Sequence, residues 1–233
     1  MTTRVLQVIS ASLVTPTTRI VRLGLGDETF PYSAGQAALL GLPEGSERVP
    51  YSIASSPEET ARYRYLEFLL KIENDGWGRH IRRLRRGSRV AVEGPIGNFI
   101  FPANPVEKQF LFVAGGTGIA PLRSMVCHAL QADVSGRLHL LYSARTPADF
   151  AYLPEMRRYA RDGRLELALN ATREVPKQWR GRRGRITRDQ LAPLVEDPAT
   201  LCFVCGPAPM VDDVPRALME IGIDPKRIRI EEW

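Results

Sequence analysis

The run Phe110-Leu111-Phe112-Val113-Ala114 passes directly into Gly115-Gly116-Thr117-Gly118-Ile119-Ala120-Pro121, and no other stretch restricts the fold as tightly. A short, uninterrupted apolar run is the signature of a strand buried on both faces, as in a parallel sheet. The glycines permit a tight turn, and Pro121 falls in the first turn of a following helix, where its missing N–H costs nothing. Strand, turn and helix in that order aim free backbone N–H groups and the positive end of a helix dipole at one spot. That spot suits a pyrophosphate, and a tight turn made for packing alone is the alternative that the motif leaves open.

The rhythm on either side differs. Downstream, apolar strand-like runs (Gln109–Ala114, Arg137–Ser143, Arg164–Asn170, Leu201–Cys205, Arg227–Glu231) alternate with helical stretches (Ala120–Gln131, Phe150–Ala160, Thr187–Val195, Ala208–Ile221). Such alternation means right-handed crossovers and a parallel sheet covered on both faces. Upstream, short runs separated by turn residues (Arg4–Ile9, Thr18–Leu25, Gln36–Leu42, Tyr51–Ser55, Tyr65–Ile72, Arg89–Glu93) suggest an antiparallel barrel or sandwich, broken by one helix over Gly78–Arg86. Two prolines within Phe101–Pro105 mark a linker. We therefore expect an all-β domain over residues 1–101 and an α/β domain over residues 106–233.

Composition removes several classes. At 233 residues with 44% hydrophobic content, the chain can fill two cores. It has no run of roughly 20 apolar residues and no secretory core at its start, so a cytoplasmic protein is expected, without membrane insertion. The cysteines, Cys127, Cys202 and Cys205, are too few for a disulfide framework or a four-thiolate iron–sulfur cluster, and no metal site is expected. Cys202 and Cys205 sit three apart in a strand-like run and so face opposite ways, which disfavours a redox dithiol. A net charge of +6 invites nucleic acid as a partner, but no recognition motif accompanies the arginine runs, and we expect none to bind.

Two further constellations bear on chemistry. Cys205-Gly206-Pro207-Ala208-Pro209-Met210 ends a strand on the side where ligands of parallel sheets bind, together with the glycine turn. In the first domain, Arg48-Val49-Pro50-Tyr51-Ser52-Ile53 precedes Glu93-Gly94-Pro95-Ile96-Gly97-Asn98-Phe99.

These pieces, in this order, resemble the ferredoxin–NADP reductase superfamily of flavoproteins. Its Arg-x-Tyr-Ser pattern is resembled by Val49–Ser52, Gly-Pro-x-Gly-x-Phe by Gly94–Phe99, Gly-Gly-x-Gly-x-x-Pro by Gly115–Pro121, and Cys-Gly-Pro-x-x-Met by Cys205–Met210. The resemblance implies an N-terminal Greek-key β-barrel that binds flavin, followed by a Rossmann-like nucleotide domain. It implies that Tyr51 stacks on the flavin ring, with Ser52 and Ile53 beside it and Ser52 bonded near the reactive nitrogen. Gly115, Gly116, Thr117, Gly118 and Pro121 would cradle the nicotinamide dinucleotide, and Cys205, Gly206, Pro207 and Met210 would border the nicotinamide. Gly76, Trp77, Gly78, Arg79 and His80 would cover the flavin pyrophosphate. The ending Glu231-Glu232-Trp233 resembles the family's acid-x-aromatic terminus, with Trp233 over the flavin and Glu231 near the nicotinamide; a loose tail is the plainer alternative.

Two departures stand out. The family's arginine position is Val49, with Arg48 displaced by one residue, and Gly78 stands where a hydroxyl residue is usual. Both bear on the grip on the flavin phosphate, so FAD is expected with FMN as the alternative. Arg145 replaces the acid that commonly selects NAD, and Arg173, Arg182 and Arg185 follow, which favours NADPH over NADH. With no cluster in the chain, electrons must leave to another molecule. An acidic carrier such as ferredoxin or flavodoxin is expected; free flavin, an oxygenase system and a non-catalytic flavin-binding role are the alternatives.

Overall fold

The computed structural model describes residues 2–74, 76–173 and 175–232. The chain divides into two compact units, Met1–Pro102 with Arg123–Ala132, and Ala103–Leu122 with Asp133–Trp233.

The first unit contains β1 (Arg4–Thr15), β2 (Thr18–Gly24), β3 (Ala37–Gly41), β4 (Val49–Ser52), α1 (Pro57–Tyr63), β5 (Tyr65–Lys71), α2 (Gly76–Ile81) and β6 (Arg89–Ile96). The antiparallel strands run in the order β4-β3-β6-β1-β2-β5. The sheet closes on itself where Ile53 bridges Phe68 and the Ala54 N–H donates to the Glu67 carbonyl. Alternate residues point inward, so Leu6, Val8, Val21, Leu23, Leu40, Leu66, Phe68, Leu70, Val90 and Val92 form the core.

Three sequence expectations change here. β1 runs to Thr15 instead of ending at Ile9, because an irregularity in the pairing between Val8 and Ser10 breaks the alternation by which a strand is recognised. Helix α1 was not expected. Its start is a capping box, in which the Glu59 N–H donates to the Ser56 hydroxyl and the Ser56 N–H to the Glu59 carboxylate. Helix α2 stops at Ile81, five residues short of Arg86, because Arg19 takes the carbonyls of Ile81, Arg82 and Leu84 that a continuing helix would use itself.

The second unit contains β7 (Gln109–Gly115), the start of α3 (Ile119–Gln131), β8 (Arg137–Ala144), α4 (Leu153–Arg161), β9 (Glu166–Ala171), β10 (Arg182–Arg183), α5 (Arg188–Leu191), β11 (Leu201–Gly206), α6 (Ala208–Glu220) and β12 (Ile228–Glu232). Its strands are all parallel, in the order β10-β9-β8-β7-β11-β12. Every residue of β7 and of β11 is buried, as expected of central parallel strands. Helix α4 starts three residues later than Phe150, after Tyr152 takes a left-handed conformation, and α5 is one short turn extended by Ala192–Leu194. β10 is only two residues long and leaves no periodic signal. Among the described residues no helix is long and apolar enough to cross a membrane.

Candidate active site

In the second unit the glycine turn has the geometry that its sequence demands. Gly116 adopts φ +56°, which a residue with a side chain rarely does, and a Cβ there would meet open space. A Cβ on Gly118 would lie 2.2 Å from the Cys205 carbonyl oxygen, so this position must be glycine for the turn to rest against β11. Pro121 is buried in the first turn of α3. The Tyr142 hydroxyl donates to the Gly116 carbonyl at 3.2 Å, and burial pushes that phenol well above its ordinary range. It is a fixed donor, and its place at the end of β8 gave no sequence signal of this role.

The Cys205–Met210 segment packs on the same turn. A Cβ on Gly115 would come within 2.8 Å of both Met210 Sδ and Pro207 Cδ, and one on Gly206 within 2.7 Å of Met210 Sδ. Cys205 is fully buried, and in register it pairs with Glu231 on β12. The structure thus brings together Gly115, Gly116, Gly118, Cys205, Gly206, Pro207, Met210 and Glu231 at the carboxyl ends of β7, β11 and β12. Trp233 lies outside the described residues. Cys202, on the opposite face, is buried in apolar surroundings that push its thiol up to about 12, which leaves it inert.

Beyond β8 and β9, the Thr172 N–H donates to the Ala144 carbonyl and the Arg173 N–H to the Arg145 carbonyl, each at 3.0 Å. Two exposed arginines 28 residues apart in sequence therefore stand side by side, and neither forms an ion pair among the described residues. Arg182 differs, since its guanidinium donates to the Gln190 carbonyl. Gln190 in turn donates to Asn170, whose amide bonds the Ser143 hydroxyl and the Gly184 carbonyl. Arg185 is exposed.

In the first unit, Tyr51 is half-buried on β4, and burial raises its phenol. Ser52 is buried, and the Ile53 N–H donates to the Gln36 carbonyl at 2.9 Å. Arg48 is already engaged. Its Nε donates to Glu93 at 2.8 Å, and its Nη1 to the carbonyls of Leu42, Gly45 and Glu47. The Thr3 hydroxyl, and after it Arg48, hold the Glu93 carboxyl below its ordinary value. The one-residue displacement noted in the sequence thus corresponds to an arginine that ties down the loop before β4. In α2, Gly78 and Trp77 are buried, His80 stacks on Trp77 with centroids 6.2 Å apart, and Arg79 is exposed.

Both units fit the groups that the motifs ask for. The Gly116 turn is an open backbone cradle at the start of a helix. In α2 the buried Trp77 indole N–H has no hydrogen-bond partner among the described residues, a donor left over for a ligand oxygen.

Comparison with known proteins agrees. Residues 5–101 match the oxidoreductase FAD-binding domain family and residues 112–216 the oxidoreductase NAD-binding domain family. Ferredoxin–NADP reductase B of Sorangium cellulosum is 33% identical over 217 residues, covering 88% of this chain and 87% of that protein. Oxidoreductase NAD-binding domain-containing protein 1 of Danio rerio is 31% identical over 249 residues, covering 99% and 90%. A crystal structure of a ferredoxin NADP+ reductase from Neisseria gonorrhoeae with bound FAD and NADP shares the fold, with a TM-score of 0.86 at 19% identity over 100% of this chain and 99% of that one. A barrel matching the FAD-binding family, a parallel sheet matching the NAD-binding family and a relative alike over nearly its whole length make one conclusion: the chain belongs to the ferredoxin–NADP reductase superfamily and is an NAD(P)H-dependent flavin oxidoreductase.

Proposed function

We propose that this chain oxidises NADPH in preference to NADH and passes the electrons through FAD, one at a time, to an acidic carrier protein of the ferredoxin or flavodoxin kind. The single observation that carries the choice of NADPH is the Arg145–Arg173 pair, held side by side by backbone hydrogen bonds with no carboxylate partner among the described residues. Two planar guanidinium groups suit the extra phosphate of NADPH, which NADH lacks. Arg182 supports the wall of this site through Gln190, and Arg185 extends its positive field.

Residues 1–101 hold the flavin in this reading and residues 106–233 the nicotinamide dinucleotide. Tyr51 lies along the flavin ring, Ser52 and Ile53 border it, and the α2 segment Gly76–His80 offers the Trp77 N–H and Arg79 toward its phosphates, with Arg48 shaping the loop beside it. Gly115, Gly116, Thr117 and Gly118 receive the dinucleotide's pyrophosphate, and Pro121 sets the helix start. Cys205 and Glu231 meet at the nicotinamide end. The chain's own work is to bind, orient and exclude water. FAD supplies the step from a two-electron hydride to single electrons.

A run of exposed arginines in the first unit supports an acidic carrier. Arg79, Arg82, Arg83, Arg85, Arg86 and Arg89 are exposed, while the buried Ile81 and Leu84 and the capture of backbone carbonyls by Arg19 fix the loop that bears them. Such a field steers acidic partners and weakens as salt screens it. The test is NADPH-driven reduction of an acidic ferredoxin and an acidic flavodoxin against salt. A carrier reduced fast at low salt, and several-fold more slowly with Arg83→Glu and Arg86→Glu, supports the reading. Free flavin as the only efficient acceptor would contradict it.

A further inference from the structure

We propose that Arg123 is a positioning residue for the flavin: with Ser124 it holds the backbone that follows Tyr51 and Ser52, and it does so from the helix that opens at the dinucleotide's glycine turn. The inference rests on the reading that Tyr51 and Ser52 border the flavin.

Arg123 is 5% exposed, an unusual burial for a guanidinium. It makes a forked pair with Glu59, Nη1 to Oε2 at 2.9 Å and Nη2 to Oε1 at 3.0 Å, and Nη1 also donates to the Ala54 carbonyl at 2.7 Å. One residue on, the buried Ser124 hydroxyl donates to the Ser55 carbonyl at 2.7 Å. The Tyr32 hydroxyl donates to the same carbonyl at 2.8 Å, and Gln131 reaches the Ser56 hydroxyl at 3.2 Å. Side chains of α3, whose residues from Arg123 onward group with the first unit, therefore hold the carbonyls of Ala54 and Ser55 and the Ser56 hydroxyl, beside the backbone bonds of Ile53 and Ala54 to Gln36 and Glu67.

Arg123 also faces a fully buried carboxylate. Glu67 is 1% exposed; Arg22 Nε lies 2.6 Å from its Oε2 and Arg123 Nη1 3.7 Å from its Oε1. Arg123 thus lies between two carboxylates, Glu59 and Glu67, and Glu59 also closes the capping box of α1. A paired guanidinium costs less to bury than an unpaired one, and the forked geometry with Glu59 fixes direction as well as charge. Lysine in place of Arg123 would keep the charge and lose the fork, so the charge and the positioning of Ala54 can be separated.

The experiment uses the full chain with Arg123→Lys and, independently, Ser124→Ala, which removes only the bond to the Ser55 carbonyl. FAD affinity of the apoprotein is measured by titration, and flavin reduction by anaerobic mixing with NADPH. Each variant is expected to bind FAD about fivefold more weakly, the size expected for losing one oriented hydrogen bond, and to reduce it more slowly at saturating NADPH while the KM for NADPH changes little. Wild-type FAD affinity and wild-type reduction rate in both variants, with only the melting temperature lowered, would overturn the proposal and show purely structural contacts. If Arg123→Lys fails to fold, Ser124→Ala decides alone by the same two outcomes. A wild-type chain that binds no FAD would instead overturn the flavin assignment of Tyr51 and Ser52, and this inference with it.

Discussion

Replacing both Arg145 and Arg173 with alanine removes the charge that we assign to the extra phosphate of NADPH while leaving the turn that places it. The hydrogen bonds that bring the two residues together are backbone to backbone, from the Thr172 and Arg173 N–H groups to the Ala144 and Arg145 carbonyls, so alanine retains them. Both side chains are exposed. Each unit charge facing a phosphate oxygen at about 4 Å in water contributes about 1 kcal/mol, far less than a buried pair would. Two arginines therefore contribute about 2 kcal/mol, which is about thirtyfold in KM. The assay is steady-state oxidation of NADPH and NADH by the wild type and the double variant, at low and at high salt. The KM for NADPH should rise about thirtyfold at low salt, and by less in 1 M salt, where screening acts within about 3 Å. The KM for NADH should hardly move. Equal changes for both cofactors, or none for NADPH, would refute the assignment and leave these arginines as solvated surface.

The glycine turn and the core of the second unit make two more predictions. Gly118→Ala would set a Cβ 2.2 Å from the Cys205 carbonyl oxygen, so it should lower stability by about 1–3 kcal/mol, read as a fall in melting temperature, and raise the KM for NADPH and NADH together. His139 is fully buried, and burial lowers its pKa against the opposing pull of Glu166 and Glu196. Gln109 accounts for its tautomer. The Gln109 Oε1 accepts from the Glu196 and Asp197 N–H groups and the Thr200 hydroxyl, so its amide nitrogen must face the Leu194 carbonyl and His139 Nε2, which leaves the imidazole proton on Nδ1. The folded state thus holds this histidine neutral, while the unfolded chain protonates it near pH 6.5. Its contribution is present above pH 6.5 and is lost as the pH falls below that value. Melting temperature should therefore drop between pH 7 and pH 5.5, and the drop should be smaller in His139→Asn; an identical slope would assign the loss to other groups.

The parts of the fold that could be read in the sequence are those whose signal is local. β7, its glycine turn and α3 need only neighbouring residues to declare themselves, and the structure places them as read, with α3 beginning one residue earlier at Ile119. The Cys205–Met210 segment also lies where a strand end followed by Gly-Pro implies, against Gly115. What was missed depends on partners distant in sequence. Arg123 acquires its role from Glu59 and Ala54, more than 60 residues away. α2 ends where it does because Arg19, on β2, takes its carbonyls. Arg48 matches the family pattern in composition alone, and only the contact with Glu93 shows that its donors serve the loop. α1 was the avoidable miss, since Ser56-Pro57-Glu58-Glu59 spells its capping box, which short strands on either side obscured.

The most direct measurement is anaerobic mixing of the FAD-loaded chain with one equivalent of NADPH and, separately, of NADH, followed through the absorption of oxidised flavin. Our account predicts that NADPH bleaches the bound FAD in one stoichiometric phase, faster than NADH at equal concentration, and that an acidic ferredoxin or flavodoxin restores the colour. A chain that holds FAD whose absorption neither nucleotide changes would contradict hydride transfer at this site.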